Sequence, residues 1–152
     1  MNNNDILNKL LGIQNLTVIR ADCVGEDQIN LIVESTLSVA SCPDCGHLSA
    51  QLHDLSEVQM VRDLPIAERR CYLSYRARRF KCEPCQKTFV ERVDWKRTGF
   101  SYTQRYERQV FQRVRRETVS QVAHDESLSE EATQAIFEYW AKKRSQAAAT
   151  RR

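Results

Sequence analysis

Nowhere in its 152 residues does this chain carry an apolar run close to the about 18–20 residues that a membrane span requires. Its opening residues, Met1-Asn2-Asn3-Asn4-Asp5, lack the basic-then-apolar layout of a secretory signal. These absences exclude the membrane classes and point to a cytoplasmic protein. Thiols stay reduced there, so paired cysteines read as metal ligands before disulfides. Internal repeats are missing. So is any nucleophile–base pair or open metal site, and the chain is therefore expected not to be an enzyme. Positive charge is scarce at first: residues 1–61 hold two Lys/Arg against eight Asp/Glu.

The net charge of +3 conceals a strongly basic middle third. Residues 62–116 hold sixteen Lys/Arg against six Asp/Glu, whereas residues 117–152 hold five against six. Such a basic zone suits a polyanion, or else forms a solvated, ion-paired surface. With 41% hydrophobic and 28% charged residues the composition is that of a folded chain.

The pattern predicts an α+β protein, a β-rich N-terminal module followed by a helical module. Ile6 to Leu11 reads as a short amphipathic helix ending near Gly12, and Leu16 to Arg20 as a strand. Alternation of Ile29, Leu31, Val33, Leu37 and Val39 predicts a half-buried strand, with Val24 to Asp27 as the turn before it. From Arg70 to Phe80 the residues alternate again. Cys71, Leu73, Tyr75 and Ala77 share one face; Arg70, Tyr72, Arg76 and Arg78 share the other. Helical stripes follow over Tyr102 to Glu117, Val119 to Asp125 and Glu130 to Lys143, with Ser129 as an N-cap. The expected domains are residues 1–95, the β-rich module, and 96–146, the helical module, with 147–152 a disordered tail. Trp95 to Gly99 is the expected linker.

Four of the six cysteines form two C-x-x-C pairs, Cys42/Cys45 and Cys82/Cys85. Each pair offers two thiolates from one tight turn, and together they complete the tetrahedral sulfur shell of structural zinc. The expected cofactor is one such ion, with a β-hairpin between the knuckles, which makes the β-rich module a zinc ribbon. Iron in a rubredoxin-like site uses the same ligands, but Gln86 stands where the second knuckle of such a site has glycine. Cys71 reads as core, and Cys23 has no nameable partner. His47 lies near the first knuckle but is not needed with four thiolates present. His53 and His124 read as ordinary surface or partly buried residues.

Val119 to Ala123, Leu128-Ser129 and Ile136-Phe137 have the layout of a helix-turn-helix, or of a plain helical hairpin. Across residues 40–140 the chain resembles the transposases of the ISL-three insertion-sequence family. The likeness rests on Cys42 to Gly46, Val61 to Pro65, Arg78 to Cys82, Cys85, Thr88 to Arg92, Tyr102 to Arg105 and the stretch Val119 to Phe137. It implies a zinc-binding domain and a helix-turn-helix that bind the transposon's terminal inverted repeats. In that family a larger catalytic domain follows, and this chain ends at Arg152; it is expected not to cut or join DNA. Two departures stand out. Glu126-Ser127 occupies the place where such motifs usually have Leu-Gly, and Glu130-Glu131 opens the recognition helix.

Duplex DNA is accordingly the expected partner. The candidate contacts are Arg62, Arg76, Arg78, Arg79, Lys81, Arg97, Arg105, Arg108, Arg113, Thr133 and Gln134, with Arg115 and Arg116 extending the footprint. The alternative is an adaptor that binds another protein, through self-association or through a full-length transposase it regulates.

Overall fold

In the computed structural model, residues 2–151 are described, and the chain separates into two units, one ending at Thr103 and the other beginning at Gln104. The first helix, α1 (Asn3–Leu11), starts earlier than the apolar stripe suggests because Asn2 caps it. The Asn2 Oδ1 accepts the Asp5 N–H at 2.8 Å, and Asp5 Oδ2 accepts the Asn2 N–H at 3.0 Å. Gly12, at φ 60°, closes the helix by donating its N–H to the Asn8 carbonyl. Asn8 then accepts the Val18 N–H at 2.7 Å and ties the helix to the first strand.

That strand, β1 (Leu16–Val24), pairs antiparallel with β2 (Gln28–Ser35). The alternation does not carry through Leu37 and Val39 as expected. The Thr36 N–H turns back to the Asn15 carbonyl and the Leu37 N–H to Ser35 Oγ, so the strand ends and both apolar side chains lie exposed. A small ribbon follows, β3 (Ala40–Ser41) with β4 (Leu48–Ser49). A long hairpin comes next, β5 (Leu52–Ile66) with β6 (Arg69–Cys82), and then β7 (Lys87–Val90). Ala67 and Glu68 form the two-residue hairpin loop with φ of 48° and 65°. Positive φ at both central positions is the type I′ geometry that matches strand twist, here adopted without glycine.

The larger sheet runs β1-β2-β6-β5, with β7 paired to the far end of β6. The β2–β6 pair is parallel, and a parallel neighbour needs a long crossover. The connection is used: it carries the first knuckle and β5. The edge position of β5 also accommodates Pro65.

On β6 the predicted inward face holds, with Cys71, Leu73, Tyr75 and Ala77 all buried against Leu11, Leu31, Val33, Val61 and Trp95. Trp95 meets Tyr75 edge-on at 5.1 Å, so the segment expected to be a free linker belongs to the first unit's core. Lys96 is also buried there, donating to the carbonyls of Arg97 and Phe100, and Thr103 N–H closes onto the Arg62 carbonyl.

The second unit contains α2 (Gln104–Val114), α3 (Val119–Glu126) and α4 (Glu130–Thr150). Tyr106, Val110, Phe111, Val122, Ala123, Ile136 and Trp140 are buried. Thr118 caps α3 and Ser129 caps α4, each accepting the N–H three residues on. α4 continues through the segment expected to fray; Gln146 and the alanines 147–149 are strong helix formers. Among the described residues no helix is long and apolar enough to cross a membrane.

Candidate metal centre and nucleic-acid interface

Two turns of matching geometry bring the four sulfurs together. In the first, Gly46 takes φ 76° and donates its N–H to the Cys42 carbonyl, while the Cys42 N–H binds the His47 carbonyl. In the second, Gln86 adopts the same left-handed region at φ 56°, helped by its amide donating to the Glu83 carbonyl at 2.7 Å. The glycine missing from the second knuckle is therefore no departure in geometry. Gln86 holds the conformation that Gly46 holds freely.

The Sγ atoms of Cys42, Cys45, Cys82 and Cys85 lie within 4.8 Å of one another, with Cys45 and Cys82 at 3.5 Å. A tetrahedron of Zn–S bonds near 2.3 Å has edges of about 3.8 Å, so the cluster has the dimensions of a zinc shell. Ala40, Phe80 and Phe89 pack around it, the two rings stacked at 6.1 Å. The Cys45 N–H, followed by that of Asp44, holds the Cys42 thiol down to about 7. The crowding sulfurs of Cys45 and Cys82 push Cys85 up to about 12, and burial raises Cys82. Four thiolates at this spacing repel one another unless a cation sits among them. Cys71 is a fully buried core residue, and Cys23 lies exposed; neither joins the cluster.

The strand arginines are placed unequally. Arg76 is exposed, and its Nε donates to the Ser56 carbonyl. Arg79 is exposed too but ion-paired with Asp54, which lowers the Asp54 carboxyl. Lys81 is half-buried. Arg78 is not part of an open row. It grips Glu91 through Nε at 2.8 Å and Nη2 at 2.7 Å, and it also donates to the Leu37 carbonyl and Ser35 Oγ. Tyr75 donates to the same carboxylate at 3.0 Å; burial pushes the Tyr75 hydroxyl up, and Glu91 raises the Arg78 guanidinium. Arg62 is buried as well, its backbone bridging to Ser101 and Thr103. Arg97 stacks its guanidinium 3.8 Å over Phe100.

In the helical unit Arg105 is half-buried, and Arg108 is exposed over the Trp140 ring. Arg113 is held by Glu117, Asp125 and Glu126. Thr133 has no exposed surface and donates its hydroxyl to the Ser129 carbonyl, so it reaches no base edge. It lies on the inward stripe with Ile136 and Trp140. Gln134 is half-exposed, with its amide on Glu138. Ser127 takes φ 53° where the motif usually has glycine, and it closes α3 through its N–H. The turn keeps its helix-turn-helix form without that glycine.

Sequence reasoning missed Glu91, whose role needs the β6–β7 pairing to be visible, and the exposed cations Lys87, which opens β7, and Arg92, two residues past its end. Only their membership of the basic zone signals the latter two.

Comparison with known proteins bears on both units. Residues 38–85 match the family model described as the zinc-finger of transposase IS204/IS1001/IS1096/IS1165. Residues 91–146 match that of the helix-turn-helix domain of transposase family ISL3. Over 67 residues the chain is 37% identical to the transposase for insertion sequence element IS1001 of Bordetella parapertussis. The aligned stretch is 44% of this chain and 16% of that transposase. No solved structure matches significantly. The ribbon match and the four-sulfur cluster together assign one structural zinc ion to Cys42, Cys45, Cys82 and Cys85.

Proposed function

The chain belongs to the ISL3 family of transposases, and from that premise we propose that it is a zinc-dependent DNA-binding protein that recognises transposon terminal inverted repeats. The observation that carries this reading is the tandem of a four-thiolate ribbon and a capped helix-turn-helix. Zinc would clamp both ends of the β5–β6 hairpin, and exposed Arg76 and Arg79, with half-buried Lys81, would meet phosphates. Phosphate contacts set register and orientation without reading sequence, so discrimination would come from base contacts or from the shape of the repeat itself. With its shell closed by sulfur, the metal has no position left for water or substrate, so we assign the chain binding and no catalytic step.

The test is fluorescence anisotropy on the zinc-loaded chain, with a labelled duplex from the terminal repeat of its own element and a scrambled duplex beside it. The expected result is a preference for the repeat of about a thousandfold. If about six phosphates are met, log K falls with log salt at a slope near −5. A salt-independent constant, or equal binding of both duplexes, overturns the reading.

A second reading, an adaptor for a second copy or for a full-length transposase, is favoured by one observation. From Glu117 to Ala141 there are six carboxylates and no Lys or Arg. Arg76→Glu discriminates, because it weakens DNA binding at least about fivefold at 0.15 M salt in the first reading and leaves an adaptor's complex intact.

A further inference from the structure

We infer that the helical unit meets the DNA backbone through Arg108 on α2, Arg115 and Arg116 in the turn just after it, and Lys143 and Arg144 on the second half of α4, and not through the opening turns of α4. This rests on the DNA-binding reading above and names the surface it uses.

The six carboxylates between Glu117 and Ala141 cover α3 and the start of α4. Arg113 answers three of them, Glu117, Asp125 and Glu126. Glu130, Glu131 and Glu138 remain exposed at the place where a recognition helix enters a groove. Glu130 accepts from Ser120, and Glu138 takes the Gln134 amide, so the polar groups there already serve carboxylates. Thr133 faces inward. A duplex with one charge every about 1.7 Å of axis is repelled by such a surface.

The opposite sign is collected elsewhere in the unit. Arg108 sits 5.4 Å over the Trp140 ring and Lys143 5.0 Å from the same ring, so one indole seats two cations. Arg115 lies 5.9 Å over Phe111, whose ring stacks on Phe137 at 5.4 Å. Arg115 and Arg144 then flank one open groove of about 380 Å³. Along α2 and into the residue after it the positions follow i, i+3, i+7 spacing (108, 111, 115), the Arg115 N–H still bonding the Phe111 carbonyl, and on α4 they do again (137, 140, 144), so each helix contributes one stripe. Among the described residues none of the five cations is in an ion pair, in contrast to Arg78, Arg79 and Arg113. Aromatic faces orient the guanidinium groups without neutralising them. The result is a charged, pre-positioned surface for phosphate.

The experiment uses the full zinc-loaded chain and a labelled 30-base-pair duplex of mixed sequence, read by anisotropy across a salt series. Removing two contacts with Arg115→Ala plus Arg144→Ala is expected to lower the magnitude of the slope by about 1.8 and to weaken binding about 30-fold at 0.15 M salt. Arg115→Lys plus Arg144→Lys should keep the slope, and unchanged far-UV circular dichroism should certify the fold of each variant. Glu130→Gln plus Glu131→Gln should change affinity by less than threefold. The inference is overturned if the alanine pair binds as the unaltered chain does, or if the glutamine pair tightens binding more than tenfold. If the unaltered chain binds no duplex, the DNA-binding reading itself has failed, and the surface belongs to a protein partner.

Discussion

Replacing Arg78 by alanine should unfold the ribbon before it can report on DNA. The Arg78 side chain is 17% exposed and the Glu91 side chain 4%, and they share a two-pronged contact at 2.7 and 2.8 Å. Two further bonds, to the Leu37 carbonyl at 2.6 Å and Ser35 Oγ at 3.0 Å, pin the end of β2 to β6. Without Arg78 a nearly enclosed carboxylate keeps, among the described residues, only the Tyr75 hydroxyl. Breaking one side of a buried pair costs about 3–5 kcal/mol, most of it the uncompensated charge left behind. For a unit of roughly 100 residues, at about 4 °C per kcal/mol, the melting temperature should fall by about 12–20 °C. Urea unfolding of the zinc-loaded chain, followed by near-UV signals from Trp95 and Tyr75, measures this. Glu91→Ala should cost about as much. Arg78→Met with Glu91→Leu and Tyr75→Phe removes charge and partner together and should recover most of the loss, because well-packed apolar replacements of buried pairs are often neutral. A cost below about 1 kcal/mol for Arg78→Ala would refute the placement of this pair as structural.

Removal of zinc by a strong chelator should release one ion per chain and dismantle the ribbon, while helical circular dichroism from the second unit persists; zinc titration read by mass spectrometry checks the stoichiometry. Ala67→Asn with Glu68→Gly puts the favoured residues into the type I′ loop and should raise stability by about 0.5–1 kcal/mol, measured by thermal melting. Ser127→Gly, at φ 53°, should stabilise the helical unit by a similar amount of about 0.5–1 kcal/mol. Arg113, then the Gln121 amide, holds the Asp125 carboxyl below its ordinary value of 3.8. Its contribution to stability is therefore complete above about pH 4 and fades as pH falls through the lowered value. Asp125→Asn should flatten that acid limb, and carboxyl-carbon NMR titration should find Asp125 below 3.8.

The cysteine spacing and the period-two face of β6 were legible because each is a local code: two knuckles fix a shell, and alternate residues fix a face. Trp95 was not legible. Its segment has the polar, glycine-containing look of a linker, and only the packing on Tyr75 makes it core. Leu37 and Val39 failed for the opposite reason: the alternation was present, but the backbone turned back to Asn15 first. Thr133 and Arg78 are polar residues of the type that contacts nucleic acid. Their commitment inside the fold depends on helix phase and on Glu91, thirteen residues downstream of Arg78. Gln86 and Ser127 show a further limit. Each takes the left-handed backbone that glycine takes freely, so a missing glycine weakened two motif matches without altering either turn.

The division between committed and available cations makes a sharper test of DNA binding than the basic zone does as a whole. Arg62, Arg78 and Arg113 are buried or multiply paired. Of the nine cations among the primary candidate contacts, Arg76, Arg79, Lys81 and Arg108 are exposed or half-buried and hold at most one ion pair each. Arg79 stays among them because its pair with Asp54 is exposed, 44% and 39%, and such pairs are worth about 0–1 kcal/mol, so a phosphate can displace the carboxylate. Arg113 cannot be recruited on those terms, since leaving would strand three carboxylates close together. Arg76→Ala should therefore reduce the magnitude of the salt slope by about 0.9 with an unchanged urea midpoint. Arg113→Ala should leave the slope as it is and lower the stability of the helical unit by about 1–2 kcal/mol. A reversal, with Arg113→Ala flattening the slope at constant stability, would mean that its carboxylate cage opens to phosphate and that pairing in the free protein does not decide which cations bind.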